Sequence, residues 1–177
     1  ETNKINQNEL NNNLRNKLPL IINGEIEDWY IFKQNDSIDK NKLTNTILQE
    51  NANKLFYPLS IQKSIKLNNI NKNTNINIIK ETNTRHFLGV LTGKISILLF
   101  NPNEYKKFDA KNNTSKYNFY KNKDKFNKVK YNEVILNKEK LLYIPLNWWY
   151  CYNIIENTLL IHVNSESLIT YPLLYFY

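Results

Sequence analysis

A chain of 177 residues, 41% of them apolar and 13% aromatic, is long enough to fold around one hydrophobic core. Its single cysteine, Cys151, excludes a disulfide framework and a cysteine metal cluster, and favours a reducing, intracellular compartment. The net charge of +8 favours acidic partners, and no apolar run approaches the length of a membrane-spanning helix.

The first part of the chain predicts a flexible segment followed by short elements. Residues 1–12 are polar, and we expect them to precede a single domain over 13–177. An apolar run at 18–22 before Asn23 and Gly24 predicts a short strand and a turn. Short helices are predicted at 25–32 and at about 36–50 from the spacing of their apolar residues.

The rest of the chain predicts short strands with a turn about every ten residues. The predicted strands are 55–59, 64–67, 76–80, 87–91, 95–100, 131–136, 140–144, 149–155 and 158–163. A lysine-rich insert at about 104–131 separates two of them, and an apolar, aromatic tail follows at 168–177. This pattern is typical of an all-β barrel or sandwich.

Three segments carry a family resemblance. The first is LPLIING at 18–24 with Trp29 a few residues on, and the second is the Gly-turn hairpin over 87–102. The third and most specific is 133–150, which ends in LLYIPLNWWY. Together with Asn164, they resemble the JmjC-type cupins, a family of double-stranded β-helix (jelly-roll) barrels that includes iron- and 2-oxoglutarate-dependent hydroxylases. The resemblance implies a mainly β, JmjC-type barrel with short N-terminal helices.

The resemblance also implies that the family's iron-binding residues have been replaced. Catalytic relatives carry His-x-Asp/Glu before the hairpin glycine and a second His after the Trp pair. Here Lys80 and Thr82 occupy the first two positions and Tyr150 the third, while Ile95 replaces the lysine that anchors 2-oxoglutarate. An ammonium, a hydroxyl and a phenol are poor ligands for a divalent cation, so no metal or cofactor is predicted.

A shifted metal site is the alternative. Glu81 supplies a carboxylate, and His86 and His162 are the only two histidines. If these three side chains converged inside the barrel, they would form a His-His-carboxylate set. Otherwise His86 ends a strand, His162 lies in the core or at its rim, and Tyr150 fills the vacated pocket.

The insert alternates lysines with aromatic residues. It has nine lysines, no arginine and only three acidic residues. Such mixtures contact RNA through phosphates and stacked bases, but a solvated loop with aromatic anchors, or a surface for an acidic protein, fits the same composition. The candidate contact residues are Lys106, Lys107, Lys111, Lys116, Tyr117, Tyr120, Lys121, Lys123, Lys125, Lys128 and Lys130.

We therefore expect a catalytically inactive structural or interaction subunit that binds other protein subunits, and RNA through its insert, in a larger assembly. The absence of Met is expected either of a processed protein or of a domain fragment. Together with the basic charge, processing would fit an imported protein of the mitochondrial matrix, such as a subunit of a mitochondrial ribosome. The alternatives are an iron- and 2-oxoglutarate-dependent protein hydroxylase or demethylase with a shifted site, and a module that binds a small molecule near Tyr150, Lys80 and Ile95.

Overall fold

The computed structural model of the protein describes residues 2–3, 7–23, 55, 60–138 and 140–167. Their one α-helix is α1 (Gln7–Asn16), and two 3₁₀ helices span Pro102–Lys107 and Lys123–Phe126. The strands are β1 (Thr2–Asn3), β2 (Leu20–Asn23), β3 (Ser60–Ile70), β4 (Ile79–Lys80), β5 (Arg85–Thr92), β6 (Lys94–Phe100), β7 (Ala110–Lys111), β8 (Thr114–Ser115), β9 (Asn132–Asn137), β10 (Lys140–Pro145), β11 (Trp149–Ile154) and β12 (Thr158–Ser167).

The strands form two six-stranded sheets. The first sheet has the order β1-β2-β10-β5-β12-β3, and the second has the order β7-β8-β4-β11-β6-β9. Every strand pair is antiparallel except β1 with β2. Eight of the strands, β3 to β6 and β9 to β12, are distributed between the sheets in the order of a jelly roll, in which late strands insert between early ones. The prediction of a mainly β fold is therefore confirmed, and the described residues form a cupin-like sandwich.

The central core lies between the two sheets. Alternate residues of β5 and β6 face inward, because successive side chains of a strand point to opposite faces. The buried members of this core are Leu88, Val90, Ile95, Ile97, Leu99, Leu136, Leu142, Ile144, Trp148, Tyr150, Tyr152, Ile154 and Leu160.

Each sheet is also covered on its outer face. On the first sheet, Leu55 and the partly buried Leu14 of α1 pack against a second apolar cluster. On the second sheet, the aromatic side chains of the insert pack over β6 and β11 in a third cluster. The central strands β5, β6, β10, β11 and β12 are thus buried on two faces, which explains why they are nearly continuous apolar runs.

Most predicted strands are confirmed with small changes of boundary. The largest change is β3, which extends over ten pairing positions with β12 although its own sequence is mostly polar. Cross-strand pairing with an apolar neighbour defines that strand, so its own residue pattern underestimates its length. By contrast, β4 has only two of the five predicted residues.

Several predicted elements lie wholly or partly outside the described residues. The helices at 25–32 and about 36–50 and the tail at 168–177 lie outside the described residues, as does the strand at 55–59 apart from Leu55. The segment 1–12, expected to be flexible, carries β1 and the first part of α1. Leu14 packs α1 against the outer face of the first sheet, and this tertiary contact stabilises the short helix. No helix among the described residues has the length and apolar character needed to cross a bilayer.

Candidate functional site at one end of the jelly roll

Strand register decides which of the predicted metal-site residues face the barrel interior. Tyr150 of β11 pairs with Ile79 of β4, and both belong to the central core. Lys80 pairs instead with Trp149, which belongs to the outer cluster beneath the insert. Because paired residues share a face of the sheet, Lys80 lies on the outer face and Tyr150 on the inner face.

Glu81, between the two predicted metal positions, turns its carboxylate into the barrel. Its backbone is held on both sides, since its N–H donates to the carbonyl of Trp148 (2.7 Å) and its carbonyl accepts from the N–H of Asn147 (2.9 Å). The residue is 2% exposed. Thr82, one residue further on, is partly buried.

Glu81, His86 and His162 form one continuous chain of polar contacts. The Glu81 carboxylate pairs with Nδ1 of His86, and Nε2 of His86 lies 3.1 Å from Nδ1 of His162. The two imidazoles stack at 5.3 Å between ring centroids, with an angle of 13° between their planes. The structure therefore brings together all three residues of the alternative ligand set, although His86 and His162 lie on different strands.

Asn83 completes the environment of the carboxylate. Its backbone N–H and its side-chain amide both donate to Oε1 of Glu81, at 2.8 and 2.6 Å. Asn83 was not among the predicted site residues. No local sequence rule identifies it, because the acceptor in this turn is a Glu side chain and not the Asx side chain of a common turn.

Burial and charge set the protonation of the site. Burial favours the neutral acid at Glu81, but the His86 charge and the hydrogen bonds from His86 and Asn83 outweigh it and lower the pKa of that carboxyl. Burial, followed by repulsion from His86, lowers the pKa of His162 to about 3. Burial, assisted by the nearby Glu81 charge, raises the pKa of Tyr150 well above its ordinary value. Tyr150 and His162 are therefore both neutral at physiological pH.

The arrangement does not suit a facial metal triad. Such a triad needs two imidazole nitrogens and a carboxylate oxygen that all point to one open position. Here His86 uses one ring nitrogen for the Glu81 carboxylate and the other for His162. Within the described residues, no group of three His, Cys, Asp or Glu side chains could hold a metal ion.

Two polar atoms at or near the contacts of Glu81, His86 and His162 lack hydrogen-bond partners. Among the described residues, Nε2 of His162 and Oδ1 of Asn164 are buried without a hydrogen bond. Both residues lie an even number of positions from Leu160 along β12, so their side chains share its face and point to the barrel interior. The series of contacts from Glu81 through His86 thus ends at Nε2 of His162, which could still form a hydrogen bond.

The position that resembles the 2-oxoglutarate anchor is filled by the core. Ile95 is fully buried and pairs with Ile154 and Leu136 across the second sheet. An aliphatic side chain in this position offers no charge to a dicarboxylate. Cys151, next to Tyr150, faces the opposite cluster, and burial raises its pKa to about 12, so its thiol stays protonated.

The insert places its predicted contact residues in two different settings. All nine lysines are exposed, whereas Phe108, Phe119 and Phe126 are buried against the second sheet. The ammonium of Lys125 lies 3.4 Å from the centre of the Tyr117 ring. Tyr120 is partly buried and donates from its hydroxyl to the carbonyl of Ser96 (3.3 Å), so it anchors the insert to β6.

No protein-family profile and no curated protein sequence matches this chain. Solved structures similar to it include a dTDP sugar isomerase from Desulfovibrio desulfuricans G20 and a dTDP-4-dehydrorhamnose 3,5-epimerase from Elizabethkingia anophelis NUHP1.

Both similarities are distant. The isomerase shares 13% identity over 59% of this chain and 57% of its own, with a TM-score of 0.39. The epimerase shares 9% identity over 62% of this chain and 51% of its own, with a TM-score of 0.36. The chain thus spans little more than half of either structure, and its fold class rests on its own strand order.

Proposed function

We propose that the chain is a catalytically inactive relative of the JmjC-type cupins that acts as a structural and interaction subunit of a larger assembly. Its partners would be protein subunits, with RNA contacted through the insert, as in a ribonucleoprotein such as a mitochondrial ribosome. Location in the mitochondrial matrix stays a prediction from composition.

One observation carries the proposal: Tyr150, at the position of the family's second metal-binding histidine, is a buried and protonated phenol in the central core. A neutral phenol in an apolar environment is a poor ligand for Fe(II), and its burial resists the ionisation that would improve it. Ile95 adds to this, because the co-substrate position is also apolar and fully buried.

The chemistry of the remaining donors supports the same conclusion. Lys80 lies on the outer face of its sheet, and Glu81 is already paired with His86 and Asn83. Iron binding would have to break the buried hydrogen bond between Glu81 and His86 and give the carboxylate a new ligand set. A buried polar group that loses its hydrogen-bond partner is destabilised, and a metal site would need to offset that loss.

The shifted oxygenase site is the second candidate, and the contact between Glu81, His86 and His162 is the observation that favours it. A rotation of His86 would release one of its ring nitrogens and one carboxylate oxygen. This function makes a distinct prediction, since any iron bound would depend on both Glu81 and His162.

Metal content and turnover separate the two functions. The purified chain is loaded anaerobically with Fe(II), desalted, assayed for iron, and then tested for uncoupled 2-oxoglutarate decarboxylation to succinate. We expect no retained iron and no turnover. The variants Glu81→Gln and His162→Gln are compared with Lys72→Gln, an exposed control in the turn between β3 and β4. Stoichiometric iron that is lost in the first two variants and kept in the third would overturn the inactive assignment.

A further inference from the structure

A cleft of about 250 Å³ opens between the insert and the second sheet. Its lining combines aromatic rings of the insert with Leu98 of β6 and the charged residues Lys123 and Glu133. Pockets for drug-sized ligands hold roughly 300–1,000 Å³, so this cleft suits a smaller group such as one planar ring system.

Tyr131 offers a fixed aromatic surface in this cleft. Its ring lies edge-on to Phe119 and Phe100, at 5.3 and 6.0 Å between centroids with interplanar angles of 79° and 61°. The residue is nevertheless 47% exposed. A ring that is held by its neighbours and still faces solvent is suited to stacking with a flat ligand, since little side-chain entropy is lost on binding.

The charged residues favour different ligand groups inside the cleft and beside it. The Glu133 carboxylate accepts from the hydroxyl of Ser96 (2.6 Å) and keeps further lone pairs for a donor in the cleft. It would repel a phosphate but would accept an N–H group of a nucleobase. Lys123 lies in the cleft lining, and the insert around it carries nine exposed lysines against three acidic residues.

One of those acidic residues is already neutralised. The Glu104 carboxylate pairs with Lys107 at 2.6 Å and accepts from the backbone N–H of Lys130. Because this pair cancels one charge of each sign, the insert keeps its excess of nine lysines over three acidic residues and stays strongly basic. Because the insert contains no arginine, it suits contacts with phosphates better than bidentate reading of base pairs.

We propose that the insert cleft binds one base of a single-stranded RNA segment against Tyr131, while the flanking phosphates contact Lys123 and neighbouring lysines. The inference rests on the proposed function, since it names the RNA-binding part of an interaction subunit. Single-stranded RNA fits better than a duplex, because only unstacked bases can enter an aromatic cleft.

The test is fluorescence anisotropy with a labelled oligouridine of about 12 nucleotides, within the range of common single-strand site sizes. We expect Tyr131→Ala to weaken binding about 5-fold or more, because one base stack is lost. Tyr131→Phe keeps the ring and is expected to retain affinity. Lys123→Gln is expected to reduce the slope of log affinity against log salt by about 0.7. The exposed control Lys72→Gln is expected to leave the affinity and slope unchanged.

Three results would overturn the inference. The first is unchanged affinity in Tyr131→Ala when circular dichroism shows the native spectrum. The second is a double-stranded RNA of the same length that binds as tightly as oligouridine. The third is a glutamate-rich peptide that binds as tightly as the RNA and depends on Tyr131 in the same way. These results leave the inactive-barrel assignment untouched, because iron content and turnover test it separately.

Discussion

At the scale of single residues, the chain of Glu81, His86 and His162 is the main polar feature of the barrel interior. A buried carboxylate is tolerated because His86 and Asn83 supply hydrogen bonds to it. His162 is tolerated because it remains neutral. The energetic consequence is a dependence of stability on pH.

Acid should destabilise the protein from pH 6.5 downward. His162 has an ordinary pKa of 6.5 and a folded-state pKa of about 3, so the unfolded chain binds a proton that the folded chain rejects. Its contribution is complete above pH 6.5 and is lost as pH falls towards 3, which amounts to about 2 kcal/mol of unfolding free energy between pH 7 and 5. Glu81, whose pKa is also lowered, adds a loss below its ordinary value of 4.5.

Urea unfolding at pH 7 and pH 5 measures this dependence. The variant His162→Gln removes the titrating group and should show a smaller loss of stability over the same interval. If the variant and the parent chain lose the same free energy between these two pH values, another group is responsible and the assignment to His162 is wrong.

At the scale of elements, the hairpin of β5 and β6 depends on one glycine. Gly93 has a φ of +85°, and an added Cβ would meet the backbone carbonyl of Asn157 and the hydroxyl of Thr158 at less than 3 Å. The turn thus packs directly against the loop before β12. Only a residue without a side chain can satisfy both the backbone conformation and this contact.

We expect Gly93→Ala to destabilise the protein by about 2 kcal/mol or more, since conformational strain and a backbone clash add. Asn113→Ala is the matched control, because Asn113 also has a positive φ (62°) but is exposed. It should cost about 1 kcal/mol from conformation alone. Chemical denaturation of both variants measures the difference, and equal losses would show that the contact with Asn157 contributes nothing.

At the scale of the whole molecule, the lysine-rich insert is part of the folded structure. Phe108 is fully buried, and its ring lies 5.1 to 6.4 Å from the rings of Phe100, Phe126 and Trp149. The insert therefore supplies a third apolar layer over the second sheet, while its lysines remain at the surface. This division explains how one segment can be both an anchor and a contact surface.

Phe108→Ala should destabilise the protein by about 3 kcal/mol, as large-to-small substitutions in a core do. Tyr105→Ala, in the same insert but 53% exposed, should stay within about 0.5 kcal/mol of the parent chain. Thermal and urea unfolding of the two variants decide the question. A small effect of Phe108→Ala would mean that the insert folds independently of the sheet.

The sequence alone determined the β character of the chain and the turn at Gly93. Both follow from the apolar pattern and from residue identity, which need no coordinates. The replacement of metal and co-substrate residues at Tyr150 and Ile95 stays a prediction from the family resemblance. Strand lengths were harder to predict from the sequence, because the length of β3 is set by its pairing with β12.

Only the tertiary structure decided which residues meet inside the barrel. Whether Lys80 or Glu81 faces the interior depends on the register of β4 against β11, and a slip of one residue reverses the faces. His86 and His162 stand 76 positions apart in sequence and meet because β5 and β12 are hydrogen-bonded neighbours. Contacts of this kind arise from long-range pairing, which local sequence patterns do not encode.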